Sequence, residues 1–254
     1  MSGWLVVTDL DGTLLDHDSY DHSAALPALQ ALSRAGIPVV ANTSKTLAET
    51  TVWQQQLGLE SAAAVENGSA VQLAGVVRPL GTPRGDLVAT LRAWRAGQGW
   101  RFCGFSDMDV AALRRHTGLS AQAARRSLER EWSEPLIWQD DEAAWQDFRA
   151  AVAARGWRLL RGGRFWHLVG DCDKGRATQA LREAWPDAPR LIGLGDSDND
   201  RDLLAAADIA IWVRSPVREP APLGDHPREL RSRGTGPAGW NEMILKLLDD
   251  GTLD

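Results

Sequence analysis

Short apolar runs alternate with segments of helical spacing along the first quarter of the chain. Leu26, Leu29 and Leu32 recur at intervals of three residues, and Gly36 is a typical helix stop. The predicted elements are a strand over 4–7, a helix over 24–35, a strand over 37–41, a helix over 46–57 and a strand over 62–65. This βαβαβ order predicts parallel strands with right-handed crossovers, and therefore an α/β fold.

The pattern changes near Gly81, where helices become mixed with short strand-like runs. Helices are predicted over 86–96, 109–116, 120–130 and 142–154, and strands over 100–104, 136–139, 157–161 and 164–169. Gly162-Gly163 lies between the last two runs and indicates a hairpin. These features predict a separate α+β unit.

Alternation of helix and strand resumes at Lys174. Strands are predicted over 190–194 and 208–213, and helices over 174–184, 200–206 and 239–249, whereas the Pro-rich segment 214–237 is predicted to be an irregular loop. The chain is therefore predicted to have a core of residues 1–80 and 170–254, interrupted by a smaller insert of residues 81–169.

The first strand leads into Asp9-Leu10-Asp11-Gly12-Thr13. Two carboxylates at i and i+2 point the same way from a strand end, and such proximity is costly unless a cation or a proton neutralises one of them. Ligands of open α/β sheets bind at this edge. The pair indicates a metal site with covalent phosphoryl chemistry; a solvated Asp-rich turn is the alternative.

A second acidic cluster follows the strand over 190–194. Asp196 and Asp200 belong to the run Gly193-Leu194-Gly195-Asp196-Ser197-Asp198-Asn199-Asp200. Magnesium ions prefer carboxylate oxygens together with water and phosphate. If the two strands are neighbours in one parallel sheet, Asp9, Asp11, Asp196 and Asp200 converge on one cation.

Two smaller signals lie between the acidic clusters. Thr43 and Ser44 follow the second strand, where hydroxyls and free N–H groups bind phosphate well, although an N-cap for the helix starting near Thr46 is the alternative. Lys174 opens a helix, an unfavourable place for a cation in the helix dipole. This placement suggests that Lys174 holds a phosphoryl group, with a surface lysine of no particular role as the alternative.

Composition limits the possible functions. The chain has 254 residues and a net charge of −6 without a long basic run, which argues against nucleic acid as a partner. Cys103 and Cys172 do not form a disulfide framework, and we expect reduced thiols in a cytoplasmic protein. No apolar run approaches the roughly 20 residues that span a bilayer, so no membrane association is expected. The twelve tryptophans are interpreted as packing residues.

Taken in order, these motifs resemble those of the haloacid dehalogenase superfamily of phosphatases. The four motifs are Asp9-x-Asp11-Gly-Thr13, Thr43-Ser44, Lys174 and Gly195-Asp196-x-x-Asn199-Asp200. More narrowly, the chain resembles the mannosyl-3-phosphoglycerate phosphatases. The stretches that carry this closer resemblance are Asp9 to Asp16, 43–46, 66–68, 104–108, 130–135, 162–167 and 193–200.

The resemblance implies a doubly wound Rossmann-like core, a mobile cap formed by the insert, and a two-step reaction. Asp9 is then the nucleophile that forms an aspartyl-phosphate, and Asp11 is the general acid and base. Mg²⁺ is the implied cofactor, held by Asp9, the backbone carbonyl of Asp11, Asp196 and Asp200. Lys174 and either Thr43 or Ser44 hold the phosphoryl oxygens, and Asn199 is a supporting residue.

Substrate recognition is expected to come mainly from the insert, because the core contacts mainly the phosphate. The candidate substrate-binding residues are Glu66, Asn67, Gly68, Arg130, Glu134, Arg164 and His167. An arginine suits the substrate's carboxylate, and Glu134 is a candidate acceptor for sugar hydroxyls. An i,i+4 surface pair of Arg130 with Glu134 is the alternative.

Three functional hypotheses follow. The first is a Mg²⁺-dependent phosphatase that converts mannosyl-3-phosphoglycerate to mannosylglycerate, a compatible solute. The second keeps the chemistry with glucosyl-3-phosphoglycerate, a sucrose-phosphate-like ester or a general sugar phosphate as substrate. The third is a phosphomutase, or a non-catalytic phosphoprotein-binding relic, although a relic would be expected to have lost Asp9 or Asp11. The sequence does not fix the oligomeric state.

Overall fold

The computed structural model describes residues 3–162, 165–187, 189–217 and 219–253. The strands within these ranges are β1 (Trp4–Thr8), β2 (Val39–Asn42), β3 (Ala63–Val65), β4 (Ala70–Leu73), β5 (Val76–Pro79), β6 (Phe102–Gly104), β7 (Ser133–Trp138), β8 (Arg158–Arg161), β9 (Trp166–Val169), β10 (Arg190–Gly195), β11 (Ile209–Arg214) and β12 (Glu229–Thr235). The helices are α1 (Leu26–Arg34), α2 (Leu47–Leu57), α3 (Arg84–Gln98), α4 (Val110–Thr117), α5 (Ala121–Leu128), α6 (Glu142–Ala154), α7 (Lys174–Ala184), α8 (Arg201–Ala205) and α9 (Gly236–Asp249).

The larger sheet contains eight strands in the order β12-β11-β10-β1-β2-β3-β4-β5. The six strands from β12 to β3 run parallel, and β4 and β5 add an antiparallel edge. Helices cover both faces, since alternate residues of β1 enter different hydrophobic clusters, with Trp4 and Val6 in one and Leu5 and Val7 in the other. The predicted α/β fold with a doubly wound sheet is confirmed.

The smaller sheet has the order β6-β7-β9-β8 and is entirely antiparallel. It is formed within residues 102–169, inside the predicted insert, and it is an α+β unit as expected. An aromatic cluster fills its core, with Phe148 fully buried. Six of the twelve tryptophans belong to this cluster: Trp94, Trp100, Trp138, Trp145, Trp157 and Trp166. Much of the unusual tryptophan content is therefore packing in one small unit.

The prediction of an irregular loop over 214–237 is wrong in part. β12 occupies Glu229–Thr235 and pairs in parallel with β11 at the edge of the larger sheet. Only Ser232 in this strand is buried, so it carries none of the apolar run that marks the central strands. Edge strands are partly solvated and can have a polar sequence, so a search for apolar runs does not detect them.

The hairpin of β4 and β5 was also missed by the sequence pattern. Leu73 pairs with Val76 across a two-residue turn of Ala74 and Gly75, both at positive φ. Hairpin turns of this kind normally carry Asn-Gly or Asp-Gly, and Ala74 replaces the usual signal. None of the helices in the described part of the chain is long and apolar enough to cross a membrane.

Candidate active site

Two adjacent parallel strands bring the acidic clusters together. β1 and β10 are in register from Trp4 opposite Arg190 to Thr8 opposite Leu194, and the N–H of Asp9 donates to the carbonyl of Leu194 at 2.9 Å. Ligand oxygens of Asp9, Asp196 and Asp200 all lie within 4.8 Å of one another, and all three residues are buried.

Lys174 lies among these carboxylates. Its Nζ is 2.7 Å from Oδ1 of Asp9 and 2.6 Å from Oδ1 of Asp200, and its side chain is fully buried. Burial alone would lower the pKa of Lys174, but Asp200 and Asp9 outweigh it and raise the pKa. The residue is the first of α7, whose N-cap is Asp173, so the helix has an anion at its N-terminus directly before Lys174.

The carboxylates exceed the cations in this cluster. Burial, together with the charge of Asp200, raises the pKa of Asp9 to about 7 despite the opposing effect of Lys174. Burial and the charges of Asp200 and Asp9 raise the pKa of Asp196 well above its ordinary value. A buried set of oxygen donors with surplus negative charge fits a hard divalent cation, so the cluster is compatible with metal binding.

Asp11 faces a different partner. Nζ of Lys45 lies 2.8 Å from the carboxylate of Asp11. The side chain of Asp11 is 32% exposed, whereas Lys45 is buried. Sequence reasoning gave Lys45 no role. A signal was present, because Lys45 follows the predicted phosphate loop directly, but only the structure shows that it meets Asp11.

The loop after β2 contains the N-cap of the helix that follows it. Thr46 is the N-cap of α2, in a capping box with Glu49, so the capping interpretation is confirmed for Thr46. Thr43 is fully buried, and its Oγ1 accepts a bond of 3.2 Å from the N–H of Lys45. Thr43 and Ser44 precede the cap and stay candidates for phosphate binding.

Residues 66–68 form a turn in which three successive residues have positive φ, of 50°, 61° and 82°. The N–H of Asn67 donates to the carbonyl of Thr43 at 2.9 Å, and Nδ2 of Asn199 donates to Oδ1 of Asn67 at 3.4 Å. A Cβ on Gly68 would overlap the backbone of Asp173, beside Lys174. The turn thus joins the loop after β2, the second acidic cluster and the start of α7.

Arg130 and Glu134 do not form the alternative surface pair; that interpretation is wrong, because both residues are buried. Nη1 of Arg130 donates to the carbonyl of Ser44 at 3.1 Å and to Oγ of Ser133 at 2.9 Å. Glu134 accepts 2.7 Å bonds from Nε of Arg84 and from the N–H of Ser106. Arg130 therefore reaches the loop after β2, whereas Glu134 is held within the insert.

His167 is buried on β9. Burial, with the charges of Arg130 and Lys174, lowers its pKa to about 3, so the imidazole is neutral. Its Nδ1 is buried without a hydrogen-bond partner among the described residues, as are Nε of Arg130 and Nδ2 of Asn67. The predicted residue Arg164 lies outside the described residues.

Residues 6–77 match the model of a family described as haloacid dehalogenase-like hydrolase. Two curated relatives are similar over almost the whole chain, and both are named glucosyl-3-phosphoglycerate/mannosyl-3-phosphoglycerate phosphatase. The protein from Methanococcoides burtonii is 35% identical, with 96% of this chain and 97% of the relative covered. The protein from Persephonella marina is 33% identical, with 97% of each chain covered.

Solved structures share the fold at low sequence identity. A haloacid dehalogenase-like hydrolase from Bacteroides thetaiotaomicron has a TM-score of 0.71 at 16% identity, covering 96% of this chain and 98% of that one. The sucrose-phosphatase from Synechocystis has a TM-score of 0.65 at 17% identity, covering 97% of this chain and 98% of that one. The likeness extends over both sheets.

Proposed function

This chain belongs to the haloacid dehalogenase-like hydrolases, in the same family as its two curated relatives, and we propose that it hydrolyses mannosyl-3-phosphoglycerate to mannosylglycerate and phosphate. Glucosyl-3-phosphoglycerate is the second candidate substrate, because the names of both relatives include it. The two sugars differ at one hydroxyl.

One observation carries the proposed chemistry. Asp9 lies at the end of β1, with its carboxylate 2.7 Å from Lys174 and close to Asp196 and Asp200. A carboxylate so placed is buried and has a cationic partner for the phosphoryl group beside it. This is the arrangement that nucleophilic catalysis by a carboxylate requires.

In the first step, an oxygen of Asp9 attacks phosphorus and the bond from phosphorus to the sugar-linked glycerate oxygen breaks. Asp11 donates its proton to the departing alkoxide. In the second step, Asp11 takes a proton from water, the water oxygen attacks phosphorus, and the bond to Asp9 breaks. Both aspartates return to their starting states, and inorganic phosphate leaves.

Other residues act on the phosphoryl oxygens and on Asp11. Lys174 supplies a buried positive charge as negative charge spreads over the phosphoryl group. The hydroxyl of Thr43 or Ser44 and the N–H groups of their loop bind the same oxygens. Nζ of Lys45, 2.8 Å from the carboxylate of Asp11, holds this carboxylate near the loop after β2.

We propose Mg²⁺ as the cofactor, held by Asp9, Asp196, Asp200 and the backbone carbonyl of Asp11. The buried oxygen donors and their surplus negative charge support this choice. When bound, the ion supplies positive charge that offsets the charges of phosphate and carboxylates.

The insert is proposed to be a cap that recognises the remainder of the substrate, with domain limits of 1–80 and 170–254 for the core and 81–169 for the cap. Support comes from three buried polar atoms that have no partner among the described residues: Nδ2 of Asn67, Nε of Arg130 and Nδ1 of His167. Buried polar atoms normally have partners, so a ligand oxygen is expected to complete them. Gly68, Glu134 and Arg164 stay predictions for substrate binding.

A cytoplasmic location is proposed as well. It is supported by Cys103 and Cys172, both free thiols.

Phosphate release tests the proposal. Mannosyl-3-phosphoglycerate, glucosyl-3-phosphoglycerate and simple hexose phosphates would be compared with Mg²⁺ present, and a strong preference for the mannosyl ester is expected. Asp9→Asn is expected to lower the rate by about 10⁴-fold or more, because it removes the nucleophile. Full activity of Asp9→Asn would overturn the covalent mechanism, and equal turnover of hexose phosphates would overturn the substrate assignment.

Metal removal tests the cofactor separately. Treatment with a chelator is expected to abolish phosphate release, and added Mg²⁺ is expected to restore it. Activity that survives exhaustive chelation, or that returns only with a different ion, would contradict the choice of Mg²⁺.

A further inference from the structure

We propose that Glu66 is a positioning residue that fixes Arg130 and fastens the cap to the phosphate loop, without contacting the substrate. This inference rests on the proposed function. Direct contact of Glu66 with substrate was the sequence prediction, and the geometry points to a different role.

The carboxylate of Glu66 is occupied by the insert. Although Glu66 directly follows β3 of the larger sheet, its Oε1 accepts from the N–H of Glu131 in the insert at 2.9 Å. Its Oε2 accepts from the N–H of Trp132 at 3.2 Å and from Oγ of Ser133 at 2.5 Å. A fully buried carboxylate is costly without such donors. We name residues 130–133 the anchor segment.

The anchor segment leads from Glu66 to Arg130. Oγ of Ser133 donates to Glu66 and accepts from Nη1 of Arg130 at 2.9 Å, and the same Nη1 lies 3.8 Å from Oε2 of Glu66. Nη1 also donates to the carbonyl of Ser44. Nη1 is held in this way, whereas Nε of the same guanidinium group is buried and lacks a partner among the described residues.

The backbone of Glu66 reaches the phosphate loop from the other side. Its N–H donates to the carbonyl of Lys45 at 2.9 Å. Trp132 adds an apolar contact, because its buried side chain packs in a cluster with Ala63, Val65 and Ala70 of the larger sheet. One residue thus joins the loop that binds phosphate to the segment that presents Arg130.

Removing the charge of Glu66 should therefore weaken substrate recognition more than chemistry. Glu66→Gln keeps the shape but directs an amide N–H₂ toward groups that are themselves donors. For the mannosyl ester we expect KM to rise about tenfold and kcat to change less than about threefold. The loss in kcat/KM should be about tenfold smaller for p-nitrophenyl phosphate, which lacks the glycerate carboxylate and the sugar.

A double-mutant cycle separates positioning from independent effects. If Glu66 acts through Arg130, Glu66→Gln adds little to the loss already caused by Arg130→Lys. Glu131→Gln is the matched control, since its exposed side chain lies in the same segment and the Glu66 bond uses its backbone. Three results would each overturn the proposal. They are additive losses of kcat/KM in the double mutant, an unchanged KM in Glu66→Gln, and an equal loss of kcat/KM for the mannosyl ester and p-nitrophenyl phosphate.

Hydrogen exchange gives a readout that does not depend on turnover. The amides of Glu131 and Trp132 should exchange about tenfold faster in folded Glu66→Gln than in the wild type or Glu131→Gln. Unchanged exchange would overturn the proposal. If the wild type hydrolysed no ester at all, the proposed function would fail, and exchange would still decide whether Glu66 fastens the anchor segment.

Discussion

The two sheets and their flanking segments contribute different side chains to the candidate site. The larger sheet supplies acidic groups at its strand ends, with Asp9, Asp196 and Asp200 gathered around Lys174. The smaller unit supplies a buried arginine, Arg130, and a neutral imidazole, His167. Under the proposed function this difference is a division of labour, in which the acidic side makes and breaks bonds to phosphorus and the other side selects the molecule attached to it.

Lys174→Ala should show the division most strongly. It leaves Asp9 and Asp200 buried without their shared cation, and breaking a buried ion pair costs about 3–5 kcal/mol of unfolding free energy. We expect hydrolysis of every ester to fall by about 10² to 10³-fold, since one electrostatic donor to the transition state is lost. Chemical denaturation and phosphate release measure the two effects.

Lys246→Ala is the matched control, because Lys246 is exposed on α9. A selective loss for the mannosyl ester in Lys174→Ala, with p-nitrophenyl phosphate unaffected, would contradict the assignment of this side to chemistry.

Phe148→Ala should affect the smaller unit. Phe148 is fully buried, with its ring 5.4 Å from that of Trp100 and 4.9 Å from that of Trp138. Such a truncation costs about 3–5 kcal/mol. By scanning calorimetry we expect a separate transition for the cap, moved to lower temperature, while Leu5→Ala moves the transition of the core. A single transition moved by both variants would show that residues 81–169 do not form a separate unit.

Gly68→Ala should damage the turn that joins the two sides. Its φ is 82°, and an added Cβ would overlap the backbone of Asp173. Gly75→Ala shares the left-handed backbone, with a φ of 77°, but its Cβ would meet nothing within 4 Å. We expect Gly68→Ala to lose about 1–3 kcal/mol more unfolding free energy than Gly75→Ala, as overpacking does. Equal losses would mean that the backbone conformation alone matters.

His167 should make stability depend on pH. Its pKa is lowered to about 3 in the folded chain from an ordinary value of 6.5, so the unfolded chain binds more protons between these values. The unfolding free energy should therefore fall as pH drops from 6.5, by at most about 1.4 kcal/mol per unit. His167→Gln should reduce the slope of unfolding free energy against pH by about 1 kcal/mol per pH unit near pH 5.5. Exposed His116→Gln is the control, and identical slopes would contradict the buried neutral imidazole.

Much of the larger sheet could be predicted because its strands are buried on both faces. Continuous apolar runs such as residues 4–7 are visible in the sequence, and polar groups that follow them must gather at one sheet edge. The convergence of Asp9 and Asp196 was predicted in this way. The predicted helix start near Thr46 also agrees with the structure, in which Thr46 is the N-cap of α2.

The rest depended on contacts between residues far apart in the chain. Glu66 meets Glu131 across 65 positions, and nothing in either local sequence indicates the pairing. Lys45 and Asp11 are 34 positions apart and lie on different elements. β12 escaped detection because an edge strand needs little apolar surface. Local patterns predict helices and strands, but they do not predict which buried polar groups form hydrogen bonds or ion pairs with one another.

Trp132 limits how far the insert can be treated as an exchangeable module. It belongs to the chain segment of the smaller unit, yet its side chain packs among Ala63, Val65 and Ala70 of the larger one. A chimera whose insert carried a smaller residue in place of Trp132 would leave a cavity beside β3. To transplant specificity, the graft must keep residue 132 as tryptophan or redesign the small alanines that receive it.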